Sequence, residues 1–145
     1  MTAAKRGVML FMTFIMSICS LTMTAYAKDD TIMPMYDYTS IASSSIGISN
    51  GYATAGVQCT GYQGTTKKIT AETCIQKKFG LIWIKVDIGT SDDCWHDSTT
   101  NYYLKTSHSA KLSSSGTYRA KTVYVVTGND GKSETITVHS SQREY

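Results

Sequence analysis

No stretch of the chain is apolar over the roughly 20 residues that a membrane-spanning helix needs. The longest, Val8 to about Met23, is interrupted by Thr13, Ser17, Ser20 and Thr22, which argues against a stable span. No convincing amphipathic helix follows it, so helical bundles and alternating α/β folds are disfavoured. Neither sign of charge dominates. Lys5 and Arg6 lie in the first few residues, and the remaining 12 basic residues nearly balance the 11 acidic ones, so no strong pull towards nucleic acid or anionic membrane is expected. There is no Gly-x-Ser-x-Gly elbow and no family-type cysteine signature for a nucleophilic hydrolase. Proline occurs once, at Pro34.

What is present begins with an export pattern. Lys5 and Arg6, the apolar run and Ala25-Tyr26-Ala27 are the n-region, h-region and Ala-x-Ala site of a signal peptide, which predicts a signal-peptide helix over 1–27 and cleavage after Ala27. Cys19 follows Ile18, where a lipoprotein site wants a small residue, so no lipid anchor is expected. Residues 28–38 carry little pattern and read as a flexible lead-in. Residues 39–145 are then one domain, large enough for a single two-layer core.

Within that domain, Gly116 to Val138 is the best-patterned stretch. Two alternating strands flank Gly128-Asn129-Asp130-Gly131, with Asp130-Gly131 expected to supply positive φ angles. Tyr118, Ala120, Tyr124 and Val126 share one face of the first strand, and Ile136 and Val138 mark the buried face of the second. Strand-like runs recur every 10 to 15 residues or so, which predicts an all-β, immunoglobulin-like antiparallel β-sandwich of about seven strands. These fall near Ser40 to Ile48, Tyr52 to Thr60, Lys67 to Lys77, Leu81 to Asp87, Asn101 to Leu112, Tyr118 to Val126 and Lys132 to Ser140. Asn50-Gly51 signals a type I′ turn. Ile69, Ala71, Thr73 and Ile75 form one face of the third strand; Lys68, Glu72, Cys74 and Gln76 form the other. Trp83 with Val86, and Tyr103 or Leu104 with Leu112, would complete the interior. Tyr118, at the head of its strand, reads either as a tyrosine corner or as an ordinary half-buried tyrosine, structural in both cases, as Tyr124 is. Lys67-Lys68 and Lys77-Lys78 read as edge protection.

Gly61-Tyr62-Gln63-Gly64-Thr65-Thr66, the run Gln76-Lys77-Lys78, Trp83, Gly116-Thr117-Tyr118-Arg119 and Ser133-Glu134-Thr135 together resemble an uncharacterised family of small secreted proteins, a domain of unknown function, from clostridia and related Gram-positive bacteria. Ile75 stands where leucine is usual, and Ser91 to Asp97 has no clear counterpart. The resemblance covers roughly Ala53 to Ser140. It implies an exported β-sandwich and transfers no catalytic or ligand-binding residue.

Without Cys19 three cysteines remain, so one disulfide at most can form within the domain. Alternation puts Cys59 with Ala55 and Val57 in the core and turns Cys74 away from Ile75. This favours Cys74 with Cys94 and leaves Cys59 a buried thiol, although the three pairings are not separated by sequence. An anaerobic source, which the resemblance implies, would leave all three reduced.

Ser91-Asp92-Asp93-Cys94-Trp95-His96-Asp97 is the densest polar constellation. Zinc sites usually add a second close pair of ligands, and the distant candidates His108, His139, Cys59 and Cys74 offer none. The run also lacks the oxygen-ligand repeat of a calcium loop. It reads as a solvated loop, with no metal and no cofactor implied. A metal-dependent or hydrolytic enzyme would require His96 and Asp92 or Asp93 to converge beside a concavity with a ligand from another strand. Trp95, His96, Tyr62 and Tyr102 are the candidates for surface contact with a protein or cell-wall glycan. The function expected is a non-enzymatic binding module, secreted or envelope-associated; a secreted toxin or bacteriocin-like effector is the alternative.

Overall fold

The computed structural model describes residues 35–145. The expected signal-peptide helix, and the lead-in as far as Pro34, lie outside the described residues. The described residues form nine strands and no helix: β1 Thr39–Ser49, β2 Tyr52–Gly61, β3 Thr66–Phe79, β4 Ile82–Lys85, β5 Trp95–Thr99, β6 Tyr103–Lys111, β7 Thr117–Gly128, β8 Ser133–His139 and β9 Arg143–Glu144.

All pairings are antiparallel and build two sheets. One has the order β1-β2-β6; the other has β4-β3-β7-β8, with β5 also on β3 and β9 also on β7. β4 pairs with residues 76–79 of β3 and β5 with residues 69–73, so the two occupy one edge of β3 in succession. Packed face to face, the sheets make an all-β sandwich.

The alternation sets the core. Ile69, Ala71, Thr73 and Ile75 of β3 and Tyr118, Ala120, Thr122, Tyr124 and Val126 of β7 are all buried, opposite Ile46, Ala53, Ala55, Val57 and Cys59 of the other sheet. A chain of hydroxyls crosses between the sheets: Ser44 Oγ lies 2.9 Å from Thr122 Oγ1, which lies 3.1 Å from Thr73 Oγ1. Threonine is therefore tolerated at the centre because each hydroxyl has a partner. Tyr124 also ties the sheets, its hydroxyl donating to Ser43 O and accepting the Gln58 amide at 3.1 Å. Burial raises its phenol pKa.

Asn50 and Gly51 have φ of 51° and 78°, as a type I′ turn requires. In the β7–β8 connection only Gly131, at φ 81°, takes the left-handed region; Asp130 instead caps the turn by accepting the Lys132 amide.

Several expectations need correction. There are nine strands rather than about seven, because the presumed solvated loop Ser91 to Asp97 runs into β5 from Trp95 onwards, and the chain end adds β9. The lead-in ends earlier than residue 38. Tyr38 is buried, its hydroxyl bonds Asp130, and the Asp37 and Tyr38 amides bond Glu134. The bond to the Asp130 carboxylate pushes the Tyr38 phenol up to about 12. Trp83 is not in the interior. Its register partner Lys78 lies on the outer face, and the half-buried indole packs there under the Arg119 guanidinium, 4.2 Å from ring centroid to Cζ. Tyr103 is exposed, while Leu104 and Leu112 are buried. β7 pairs with β3 along one side and β5 and β4 along most of the other, so Lys77 has strand neighbours on both sides, whereas Lys67 and Lys68 lie at the stretch of that second edge that β5 does not reach.

Candidate functional site

The outer face of β3 carries the chemistry. Cys74 and Cys94 are joined by a disulfide, and Cys59 is a buried free thiol, its pKa pushed up to about 12 chiefly by burial. The bridge spans 20 residues of sequence and pins the segment after β4 onto β3. Cys74 is therefore buried although it faces away from the core.

A tight turn precedes β5. Thr90 Oγ1 accepts the Cys94 amide at 3.0 Å and donates to Cys94 O at 3.1 Å, and Asp93 sits at φ 57°. Aspartate is among the few residues that take this conformation readily. The turn swings Asp92 back over β5, where its Oδ2 lies 2.6 Å from His96 Nε2. That bond holds the Asp92 carboxyl below the usual carboxylate range. β5 runs in register with β3 so that His96 opposes Glu72 and Ser98 opposes Thr70. Directly opposed residues point to the same face, so Glu72, Asp92 and His96 converge, one ligand atom of each within 4.8 Å of the others. Beside them is a shallow concavity of about 370 Å³ whose lining includes Lys68, Thr70, Ser98, Val123 and Val125.

The inward side of β5 forms a second constellation. Trp95 and Asp97 oppose Thr73 and Ala71 and so face the other sheet. The Trp95 ring stacks on His108 of β6 at 5.1 Å between centroids, and His108 Nε2 lies 2.8 Å from Asp97 Oδ2. These groups are half-buried and close the open seam between β5 and β6. Trp95 is thus a half-buried seam residue stacked on His108. His96 and Asp97 do point to opposite faces, and each finds a different partner. Neither His–Asp pair is joined to a serine, threonine or cysteine side chain among the described residues, the contact that a nucleophilic mechanism needs. His139 lies on the far strand β8, its pKa lowered by partial burial and by Arg119 and Lys121.

Tyr62 and Tyr102 are exposed and sit at the same end of the sandwich, where the Gly61 amide bonds Tyr102 O at 2.7 Å. At the opposite end β3 and β4 extend beyond the core as a hairpin. Phe79 is 69% exposed, Leu81 97% and Ile82 59%.

The residues behind the family resemblance have structural roles. Gly61 leaves room for Thr66, whose hydroxyl donates to Tyr38 O and accepts the Tyr62 amide. The Tyr118 hydroxyl donates to Ser114 O, four residues upstream, the contact of a tyrosine corner. Gln76 Oε1 accepts at 2.9 Å from Nε of Arg119, whose guanidinium lies over the Trp83 ring, and Glu134 holds the Asp37 and Tyr38 amides. No family model matches the chain, and no match is found among curated proteins.

Glu72 is the site residue that sequence reasoning missed. Its signal was conditional: once Cys74 pairs with Cys94, Glu72, two residues from one cysteine on the same strand face, must approach Asp92 and His96, which flank the other.

Proposed function

We propose that the protein is an exported, non-enzymatic binding module of immunoglobulin type, acting at or outside the cell envelope, and that it docks on an anionic lipid surface through the β3–β4 hairpin. Membership in the secreted family named above is part of the same proposal. The sandwich type is supported by the order β1-β2-β6 against β4-β3-β7-β8, with the Tyr118 corner at the head of β7.

The observation that carries the docking reading is the exposure of Phe79, Leu81 and Ile82 at the hairpin apex, with Lys78 and Lys85 behind them. Phe79 opposes Ile82 on one face, whereas Lys78 and Lys85 share the other with Trp83. Apolar groups projecting from the body suit insertion between lipid chains, and lysines set back from the apex suit the phosphate layer, a local contact that needs none of the long-range pull that the nearly balanced charge denies the chain. Full burial of each such side chain contributes about 1.5 to 3 kcal/mol, and each lysine near an anionic surface about 1 kcal/mol. Docking of this kind is reversible and needs no membrane span.

Co-sedimentation with vesicles tests the reading. The full chain binds vesicles of mixed phosphatidylglycerol and phosphatidylcholine more tightly than phosphatidylcholine alone, and the double substitution Leu81→Asp, Ile82→Asp weakens binding at least about tenfold. The apolar stretch Val8 to Met23 is common to both proteins, so the difference reports the hairpin. Equal sedimentation of the two proteins rules out lipid docking and leaves a protein or wall glycan as the partner to seek.

A further inference from the structure

We infer that Glu72, Asp92 and His96 form a binding site for a divalent transition-metal ion, with Zn²⁺ the ion that the donors suit best. The inference does not rest on lipid docking.

The donors are one imidazole nitrogen and two carboxylates. Imidazole with carboxylate suits zinc and its neighbours, whereas calcium takes six to eight oxygen ligands and no nitrogen. Only Asp92 and His96 satisfy each other. Glu72 is half-buried, its register neighbours are His96 and Val123, and the ion pairs among the described residues are His96–Asp92 and His108–Asp97. A partly buried carboxylate left without a cation, aimed at an imidazole and a second carboxylate, is what a metal would complete.

The site is organised before an ion arrives. Antiparallel register places Glu72 opposite His96, the Thr90–Cys94 turn places Asp92, and the disulfide fixes that turn to β3. His96 Nε2 and Asp92 Oδ2 are 2.6 Å apart and share a proton. Tetrahedral ligand atoms each about 2.0 to 2.2 Å from one zinc stand about 3.3 to 3.6 Å from each other, so the ion takes the place of that proton while the pair opens by about 0.7 to 1 Å. The imidazole binds through Nε2 with its remaining proton on Nδ1: a charged ring loses its Nε2 proton to solvent, and a neutral ring protonated at Nε2 gives that proton to solvent and takes one at Nδ1 in exchange. Three protein ligands leave zinc at least one further position. Here it opens towards solvent and the neighbouring concavity, where water or a ligand's carboxylate can occupy it.

Calorimetric titration of Zn²⁺ into the full-length protein tests this inference, run without reductant so that Cys74 and Cys94 stay paired and supply no thiolate. One Zn²⁺ is taken up per chain at this site. Glu72→Gln and His96→Ala each weaken uptake at least about tenfold, and His108→Ala leaves it unchanged. Co²⁺ gives a visible absorption band that His96→Ala removes. Circular dichroism checks that each variant is folded. If Asp92 and His96 merely brace the loop, Glu72→Gln has no effect on metal uptake, and that result overturns the inference. So does the absence of uptake at Zn²⁺ up to roughly 0.1 mM.

Discussion

Replacing Tyr124 with alanine lowers the unfolding free energy by about 3 to 5 kcal/mol, the range for losing a large buried aromatic side chain. Tyr124 is fully buried, and its ring sits in the cluster with Val57, Cys59, Ile69, Leu104 and Ile136. The substitution also strands Ser43 O and the Gln58 amide, paired neighbours on β1 and β2 that the phenol reaches from β7 of the other sheet. Tyr124→Phe separates the two contributions. It keeps the ring and removes only the hydroxyl, at a cost of about 1 to 3 kcal/mol for the groups left unpaired. Urea unfolding followed by circular dichroism measures both. A domain of this size has a total stability of about 5 to 15 kcal/mol, so the alanine variant is expected to lose a large share of it and to unfold at a clearly lower urea concentration.

Breaking the Cys74–Cys94 bond has the next largest effect. A bridge closing 20 residues restricts the unfolded chain by about 3 kcal/mol in the chain-entropy account. Cys94→Ser therefore lowers the thermal midpoint by roughly 10 °C or more. The damage is local as well. The bond anchors the turn that carries Asp92, while β5 remains paired to β3 through residues 69–73. The variant is thus expected to keep the sandwich and to loosen the Asp92–His96 pair. A Cys94→Ser midpoint within about 2 °C of the unaltered protein would mean that backbone pairing alone holds the segment.

Much of the fold was legible in the sequence wherever one face was apolar and the other polar. The strands of the β7–β8 hairpin and the inward face of β3 follow from alternation with a period of two, and the β1–β2 turn from the Asn50-Gly51 pair. β5 was missed for a physical reason. Its inward positions are Trp95, Asp97 and Thr99, and Asp97 can face the other sheet only because His108 meets it there, a contact between strands that no local pattern reveals. Trp83 was misplaced because a large aromatic was assumed to require the interior; the Arg119 guanidinium covers it on the outer face instead. The same assumption hid the hairpin, whose apolar residues lie beyond the end of the sandwich and find nothing to cover them. The site was half legible. Asp92 and His96 stand out in the sequence, but Glu72 joins them only through the disulfide and the register of β5.

The measurement that bears most directly on the proposed docking is the emission of Trp83. The chain has two tryptophans, so Trp95→Phe leaves Trp83, on the hairpin, as the sole reporter, and Val8 to Met23 contributes none. Adding phosphatidylglycerol-containing vesicles is predicted to move its emission to shorter wavelength, with quenching by lipids brominated near the headgroup, and to leave the Leu81→Asp, Ile82→Asp protein unchanged. Emission that does not move at saturating anionic vesicles, in a protein shown to be folded, would contradict docking through the β3–β4 hairpin.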